Sequence, residues 1–252
     1  MKWWVVVVLS VLLSACAGQV AQTADGTTAD SAAYTRLGMQ YIQSGNLAGA
    51  KAAFQKAITV APNDALALNG LALAFQIEGE TELANSYFKK AVTYAPESAT
   101  IHNNYGAFLF AQADYKNACR ILAVATQDPF YPRRDTAFEN LGRCYLKLGQ
   151  NDAAKHAFTR VLSLSPNRLS TSVLLADLAL KENDLEEAIA RFTPMEEAVS
   201  ERQVEHVPLS LWVGVRIARA IGNAQDATTY ALMLKNLFPN SAEFKEFQES
   251  GQ

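Results

Sequence analysis

The chain has 252 residues, half of them hydrophobic, with 22 basic against 25 acidic residues and a pI near 5.7. Such balanced charge lacks the basic footprint of a nucleic-acid-binding protein, so we expect no nucleic-acid partner. Thirteen glycines and eight prolines are too few for a disordered chain. The length suffices for one large domain or two ordinary ones.

The N-terminus has the pattern of a secretory signal. Residues 3–13 form a nearly unbroken apolar run, too short to span a bilayer as a helix. The run leads into Leu-Ser-Ala-Cys at residues 13–16, which resembles the lipobox of bacterial lipoproteins. The resemblance implies that residues 1–15 are a lipoprotein signal peptide and that Cys16 carries the lipid. The alternative is an ordinary secretory signal cleaved after Ala15, with Cys16 incidental.

The same resemblance implies a location. Ala17, and not an aspartate, follows Cys16. By similarity to enterobacterial sorting rules, this implies a lipid anchor at the periplasmic face of the outer membrane. Anchoring by two or three acyl chains is stable, because each buried CH₂ contributes about 0.8 kcal/mol. Residues 19–29 are small and polar, so we expect residues 16–30 to be a flexible tether.

Residues 31–62 contain a motif that the rest of the chain repeats. It consists of Tyr34, Leu37, Gly38, Tyr41, Ala50, Phe54 and Pro62. This order matches the tetratricopeptide pattern, which has a period of 34 residues. Six repeats follow one another, at about 31–64, 65–98, 99–134, 135–168, 169–207 and 208–241. The sequence therefore predicts an all-α fold without strands, a right-handed tetratricopeptide-repeat solenoid over residues 31–248, in which neighbouring repeats bury one another's apolar faces.

Two positions in each repeat indicate where helices pack. The first helix carries a small residue in the first five repeats, at Gly38, Ala72, Gly106, Gly142 and Ala176. The second helix carries a large apolar residue four positions after an alanine, on the same face, at Phe54, Phe88, Leu122, Phe158 and Phe192. In the sixth repeat Ala227 fits the alanine position, and the repeat then lacks the aromatic residue. The fifth repeat is degenerate, with Pro194 in its second helix, and residues 241–248 are predicted to form a capping helix.

No catalytic or metal site is apparent, so we expect no enzymatic activity, no metal, no cofactor and no small-molecule substrate. His102, His156 and His206 have no cysteine, aspartate or histidine at metal-ligand spacing. The sequence has no glycine-rich phosphate loop, no G-x-S-x-G and no H-E-x-x-H. Adjacent acidic pairs such as Glu186-Glu187 diverge on a helix and are typical of a solvated face.

Cys119 and Cys144 are the only thiols besides Cys16. Cys119 lies in the predicted second helix of repeat three and Cys144 in the first helix of repeat four, which are neighbours in a solenoid. The signal directs both residues to an oxidising compartment, so we expect a disulfide. It would stabilise the fold by roughly 3 kcal/mol in the chain-entropy treatment. The alternative is two buried free cysteines that pack as small apolar residues.

The predicted partner-contacting residues lie on the first helices, which line the concave side in this fold. Helical spacing selects Thr35, Met39, Ile42, Asn69, Leu73, Gln76, Asn103, Phe110, Glu139 and Arg143. An extended or helical peptide could place apolar side chains on Met39, Ile42 and Leu73, with asparagines bonded to its backbone. The alternative is that these positions belong to core packing or to the tether folded back.

Motifs more specific than the repeat consensus point to one family. They are Asn103-Asn104-Tyr105-Gly106, Tyr131-Pro132, Phe138-Glu139-Asn140-Leu141-Gly142 and Phe238-Pro239. Together with the lipobox, they resemble the type IV pilus biogenesis and stability lipoprotein family (PilF or PilW). The resemblance implies a pilotin that binds a secretin, assists its assembly in the outer membrane and supports twitching motility. In that family the first repeats bind the secretin, which here corresponds to the surface around Met39, Ile42 and Leu73.

Two other functions are compatible with the pattern. One is a periplasmic tetratricopeptide adaptor for a cell-wall synthase or an outer-membrane assembly complex. The other is an accessory subunit of a periplasmic enzyme complex.

Overall fold

The computed structural model describes residues 22–251, and its side chains from residue 28 onward. This part of the chain forms thirteen α-helices and contains no β-strand. They are α1 Gln22–Gln43, α2 Leu47–Val60, α3 Ala65–Glu78, α4 Thr81–Tyr94, α5 Ala99–Ala111, α6 Tyr115–Ala125, α7 Arg134–Lys147, α8 Asn151–Leu164, α9 Leu169–Lys181, α10 Leu185–Ser200, α11 Pro208–Ala220, α12 Ala224–Leu237 and α13 Ala242–Ser250. Two compact units divide between Pro96 and Glu97, so α1–α4 belong to the first and α5–α13 to the second.

The helices pack in consecutive pairs within each unit. The first unit contains the pairs α1–α2 and α3–α4, and α2 also contacts α3. The second unit contains α5–α6, α7–α8, α9–α10 and α11–α12, with contacts from each pair to the next. The predicted all-α fold of helix-pair repeats is therefore confirmed.

Local chemistry fixes the helix ends. The side chains of Asn46, Asp64, Asp114, Asp184 and Asn223 accept backbone N–H groups in the first turns of the helices that follow them. These bonds satisfy donors that have no partner inside a helix. Gly79 ends α3 in the left-handed conformation, with φ of 80°, which glycine adopts without steric cost.

The core of the first unit is built around the ring of Phe54, which is fully buried. A Cβ atom at Gly38, on α1, would lie 2.5 Å from this ring, and one at Gly70, on α3, would lie 2.3 Å from it. Phe54 is thus held between two helices that carry no side chain where they touch it. In the second unit Gly142 has the same relation to Phe158, and Gly106 to Leu122.

The sixth repeat does have the aromatic residue, so its predicted absence is wrong. Tyr230 follows Gly214 by 16 positions, as Phe54 follows Gly38. A Cβ at Gly214 would lie 2.9 Å from the Tyr230 ring. The alignment on Ala227 was displaced by one residue, because Asp226 occupies the position that alanine takes in the other repeats.

The N-terminal end of the described region differs from the prediction, whereas the C-terminal end agrees with it. The helix α1 begins at Gln22, so residues 22–30 are helical and the predicted tether over residues 16–30 is wrong for that part. Extending an existing helix adds a hydrogen bond per residue without a new nucleation cost, which explains why the polar stretch joins α1. At the other end, the predicted capping helix is present as α13.

We predict that Gly70→Ala lowers the free energy of unfolding. The added methyl would overlap the Phe54 ring, and the ring has little room to move because Gly38, on another helix, lies against the same ring atoms. Overpacking costs about 1–3 kcal/mol and outweighs the gain of about 1 kcal/mol in helix propensity. Urea unfolding of the two proteins measures the difference.

Gly251→Ala is the matched control, since its new methyl would meet nothing closer than 3.8 Å. In a Phe54→Leu background, where the overlapping ring atoms are gone, Gly70→Ala should cost less than in the parent. Equal costs in both backgrounds would contradict the packing explanation.

Candidate protein-binding surfaces

The predicted partner-contacting residues occupy three positions of the repeat. The fifth position holds Thr35, Asn69, Asn103 and Glu139, the ninth holds Met39, Leu73 and Arg143, and the twelfth holds Ile42, Gln76 and Phe110. The three positions differ in how far their side chains are exposed.

The fifth position is not available to a partner, which corrects the prediction for its residues. Thr35 is 8 % exposed, Asn69 4 % and Asn103 5 %. The amide of Asn140 donates to Asn103 Oδ1 at 3.0 Å. Only 13 % of the Glu139 side chain is exposed. In repeats one and three, the following first helix packs against α1 and α5, respectively, which accounts for this burial.

In repeat one, the fifth-position residue Thr35 is bonded to Asp64, the last residue of that repeat. Thr35 Oγ1 donates to Asp64 Oδ2 at 3.1 Å, and Ser31 Oγ donates to the same oxygen at 2.6 Å. The other oxygen, Oδ1, caps α3 by accepting the N–H groups of Leu66 and Ala67. One carboxylate therefore ties α1 to the start of α3.

In the second unit, repeat four contains a similar link in which the last residue is a cation and its partners are carboxylates. Arg168 occupies the last position, and it binds Asp135 and Glu139, which occupy the first and fifth positions. Ser165 Oγ also donates to Asp135 Oδ2, at 2.8 Å. Burial raises the pKa of the Asp135 carboxyl, but hydrogen bonds from Arg168, Ser165 and the Thr136 backbone outweigh it and hold this pKa below its ordinary value.

The ninth and twelfth positions of the first unit form a partly open surface. Met39, Ile42 and Leu73 are half-buried and Gln76 is exposed. Met39 and Ile42 rest against the cluster that contains Phe54 and Leu71. We call Met39, Ile42, Leu73 and Gln76 the N-terminal face. It is mainly apolar, and methionine adapts its shape to different partners.

The corresponding positions of the second unit are engaged internally. The Phe110 ring contacts the Tyr115 ring edge-on, with centroids 5.3 Å apart. Arg143 is exposed but pairs with Glu139, with Nη2 to Oε1 of 2.9 Å.

The structure contains the predicted disulfide between Cys119 and Cys144. It joins α6 to α7, with a Cα–Cα distance of 5.6 Å. Cys119 is 6 % exposed and Cys144 is fully buried, so the link is internal to the second unit.

The histidines do not assemble a reactive centre. His102 is buried, with Nδ1 3.0 Å from the Ser98 carbonyl oxygen, and His156 is exposed. Burial lowers the pKa of His206, whose ring packs edge-on against Tyr230. Within residues 22–251 there is no group of three or more histidine, cysteine, aspartate or glutamate side chains that could hold a metal ion.

Sequence reasoning missed two polar contacts. The Asp135–Arg168 pair could have been found by aligning the first and last positions of every repeat, where Ser31 and Asp64 also lie. The hydroxyl of Tyr230 donates to Glu196 Oε1 at 2.8 Å, and burial and this bond raise the pKa of Tyr230. This contact could be found only with the corrected alignment of the sixth repeat.

None of the helices in the described range has the length and apolar content needed to cross a membrane.

Comparison with known proteins gives consistent similarities. Models of the tetratricopeptide repeat match residues 31–64, 65–98 and 145–203. The type IV pilus assembly protein PilF of Pseudomonas aeruginosa is 35 % identical over 216 residues, which cover 86 % of this chain and 84 % of that protein. A solved structure of P. aeruginosa PilF superposes with a TM-score of 0.79, at 35 % identity, and covers 89 % of this chain and 99 % of that one. The crystal structure of the type IV pilus biogenesis factor PilW gives 0.70 at 29 % identity, over 86 % and 98 % of the two chains.

We predict that Asp135→Asn destabilises the protein at neutral pH and that the difference disappears in acid. The folded pKa of Asp135 lies below the ordinary value of 3.8, so the stabilisation is present above that value and is lost as the pH falls through the lower, folded pKa. A charge-assisted bond to a partly exposed arginine is worth about 1–2 kcal/mol.

Urea unfolding at pH 7 and at several values below pH 4 provides the measurement. Glu249→Gln, an exposed carboxylate in α13, is the control and should change stability little at either pH. A difference for Asp135→Asn that persists unchanged in strong acid would contradict the charge-based explanation.

Proposed function

Since the chain belongs to the PilF/PilW family of type IV pilus biogenesis proteins, we propose that it is a pilotin for the type IV pilus secretin. In this proposal it is an outer-membrane lipoprotein that faces the periplasm and binds the secretin as its protein partner. It assists the localisation and multimerisation of the secretin, and so supports pilus biogenesis and twitching motility. It acts as a scaffold and not as an enzyme.

The N-terminal face is the observation that carries the secretin-binding part of the proposal. It offers the partly open apolar side chains of Met39, Ile42 and Leu73 beside the exposed amide of Gln76. A short secretin segment can bury alternate apolar side chains there, while Gln76 bonds to its backbone. The buried fifth-position residue Thr35 contributes, because its bond to Asp64 ties α1 to the start of α3 beneath this face.

The lipid anchor supports the delivery part of the proposal. Cys16 lies outside the described residues, and its lipidation rests on the lipobox resemblance. Confinement to the membrane in which the secretin inserts raises the effective concentration of the two proteins, so a modest affinity suffices.

We predict that Leu73→Asp weakens secretin binding by about 10- to 30-fold, because a charge would replace an apolar contact at the centre of the N-terminal face. Binding of the purified secretin periplasmic region measures this loss, and the amount of heat-resistant secretin multimer in cells should fall with it. Ile77→Asp is the matched control, since Ile77 is a 57 % exposed apolar residue of the same helix outside this face.

Equal effects of Leu73→Asp and Ile77→Asp would argue against the N-terminal face. Normal secretin binding by both variants, together with recovery of a cell-wall synthase or an outer-membrane assembly complex, would instead favour the adaptor function.

We further predict that Cys16→Ala leaves the fold intact but removes the protein from the outer membrane and lowers secretin multimerisation. Circular dichroism of the purified variant checks the fold, and membrane fractionation with immunoblotting checks the two other outcomes. Normal secretin multimers in cells that hold the variant only in soluble form would contradict a delivery role.

A further inference from the structure

The last repeat leaves much of its second helix uncovered. Of the residues in α12 only Leu234 is buried, whereas α8 buries four. Leu232 is 52 % exposed and Leu237 is 59 % exposed. The second helices α4 and α8 also expose large apolar side chains, at Tyr94 and Leu164, so what distinguishes α12 is that it buries a single residue.

The helix that follows is too short to cover this surface. α13 has 9 residues, whereas α9 and α11, the first helices of the two preceding repeats, have 13 each. It is fixed at its start, where Phe244 is buried, and along α11, where Trp212 Nε1 donates to Glu246 Oε2 at 3.0 Å. A helix shorter by about one turn leaves a gap at its far end.

That gap is a recess between α11, α12 and α13, with a volume of about 360 Å³. We call it the C-terminal recess. Its lining includes Arg219, Thr228, Ala231, Leu232, Lys235 and Phe247. In α12 these residues are spaced so that they share one face, which is apolar in the middle and cationic at Lys235.

The two cations of the recess have no carboxylate partner in residues 28–251. Arg219 stacks on the Phe247 ring, with its guanidinium carbon 5.1 Å from the ring centroid, and its Nη1 donates to Ser250 Oγ at 3.1 Å. Neither Arg219 nor Lys235 forms an ion pair there. By contrast, Arg216, one turn earlier on α11, is neutralised by Asp177 at 2.6 Å. The contact with the Phe247 ring and the bond to Ser250 leave further Arg219 donors for a carboxylate.

We propose that the C-terminal recess binds a segment of a second protein in which an acidic side chain lies beside aliphatic ones. Its carboxylate pairs with Arg219 and Lys235, and its aliphatic side chains cover Leu232 and the Phe247 ring. The segment would complete the layer that α13 leaves unfinished. The recess lies in the second unit, so this site is independent of the N-terminal face and of the secretin proposal.

The test uses the full chain in detergent, with Trp3 and Trp4 replaced by phenylalanine so that Trp212 is the only tryptophan. Trp212 lies 6.2 Å from Phe247, ring centroid to ring centroid, so its fluorescence reports on the recess. The probe is a labelled peptide of about ten residues that alternates leucine and glutamate, and its reference has glutamine in place of glutamate.

We expect the acidic peptide to change Trp212 fluorescence and to bind at least about tenfold more tightly than the glutamine peptide. Arg219→Ala and Lys235→Ala should each weaken binding of the acidic peptide severalfold, and Arg219→Lys should restore only part of the loss. Leu232→Ser should weaken the binding of both peptides. Lys245→Ala, an exposed lysine of α13 outside the recess, should have no effect.

Three results would overturn the proposal. They are no binding of the acidic peptide at millimolar concentration, equal loss of binding in Lys245→Ala and Arg219→Ala, and equal binding of glutamate and glutamine peptides. If acetate at the same concentration as the acidic peptide prevented the binding of that peptide, the proposal would also be overturned. Such competition would show that the recess binds a small anion and does not recognise a peptide. Circular dichroism of each variant separates loss of binding from loss of fold.

Discussion

The close approach of the helices depends on one contact, in which a large side chain of the second helix lies against a first-helix residue with little or no side chain. Phe54 shows the constraint most clearly, because glycines on two different helices meet its ring. Since the ring fills the space that a side chain would need, each helix pair has one favourable spacing. Gly214 and Tyr230 show the same contact in the last repeat. The Tyr230 hydroxyl also donates to Glu196, which connects this repeat to the one before.

Polar residues then determine which part of the inner surface remains open. In repeats one and three the fifth position lies on a first helix that contacts the next first helix, and a polar side chain there must find a partner once it is buried. Asp64 provides this partner in the first unit, and Arg168 provides it in repeat four of the second unit. Opposite charges perform the same task at the same position. What stays accessible in the first unit is the ninth and twelfth positions.

Much of the fold follows from local pattern, and the exceptions have physical causes. Glycine, alanine and aromatic spacing predicts the helix pairs, and helix adjacency predicts the Cys119–Cys144 pairing. The predicted exposure of Thr35 and Asn103 is wrong because helical spacing describes one helix, whereas these side chains bond to Asp64 and Asn140 outside that helix. The sixth-repeat prediction missed Tyr230 because Ala227 fits the alanine of the motif, whereas the matching position is the neighbouring Asp226. The C-terminal recess depends on the length of α13 relative to α11, which no motif encodes.

The disulfide between α6 and α7 has a consequence for how the molecule comes apart. Stacked repeats generally open from their ends, because a terminal helix pair loses contacts on one side only. The covalent link prevents repeat three from separating completely from repeat four, even when the noncovalent contacts between them are lost. Fraying that starts at α13 can therefore release the later helices while α6 and α7 remain joined. A protease would then meet a shortened but still associated core.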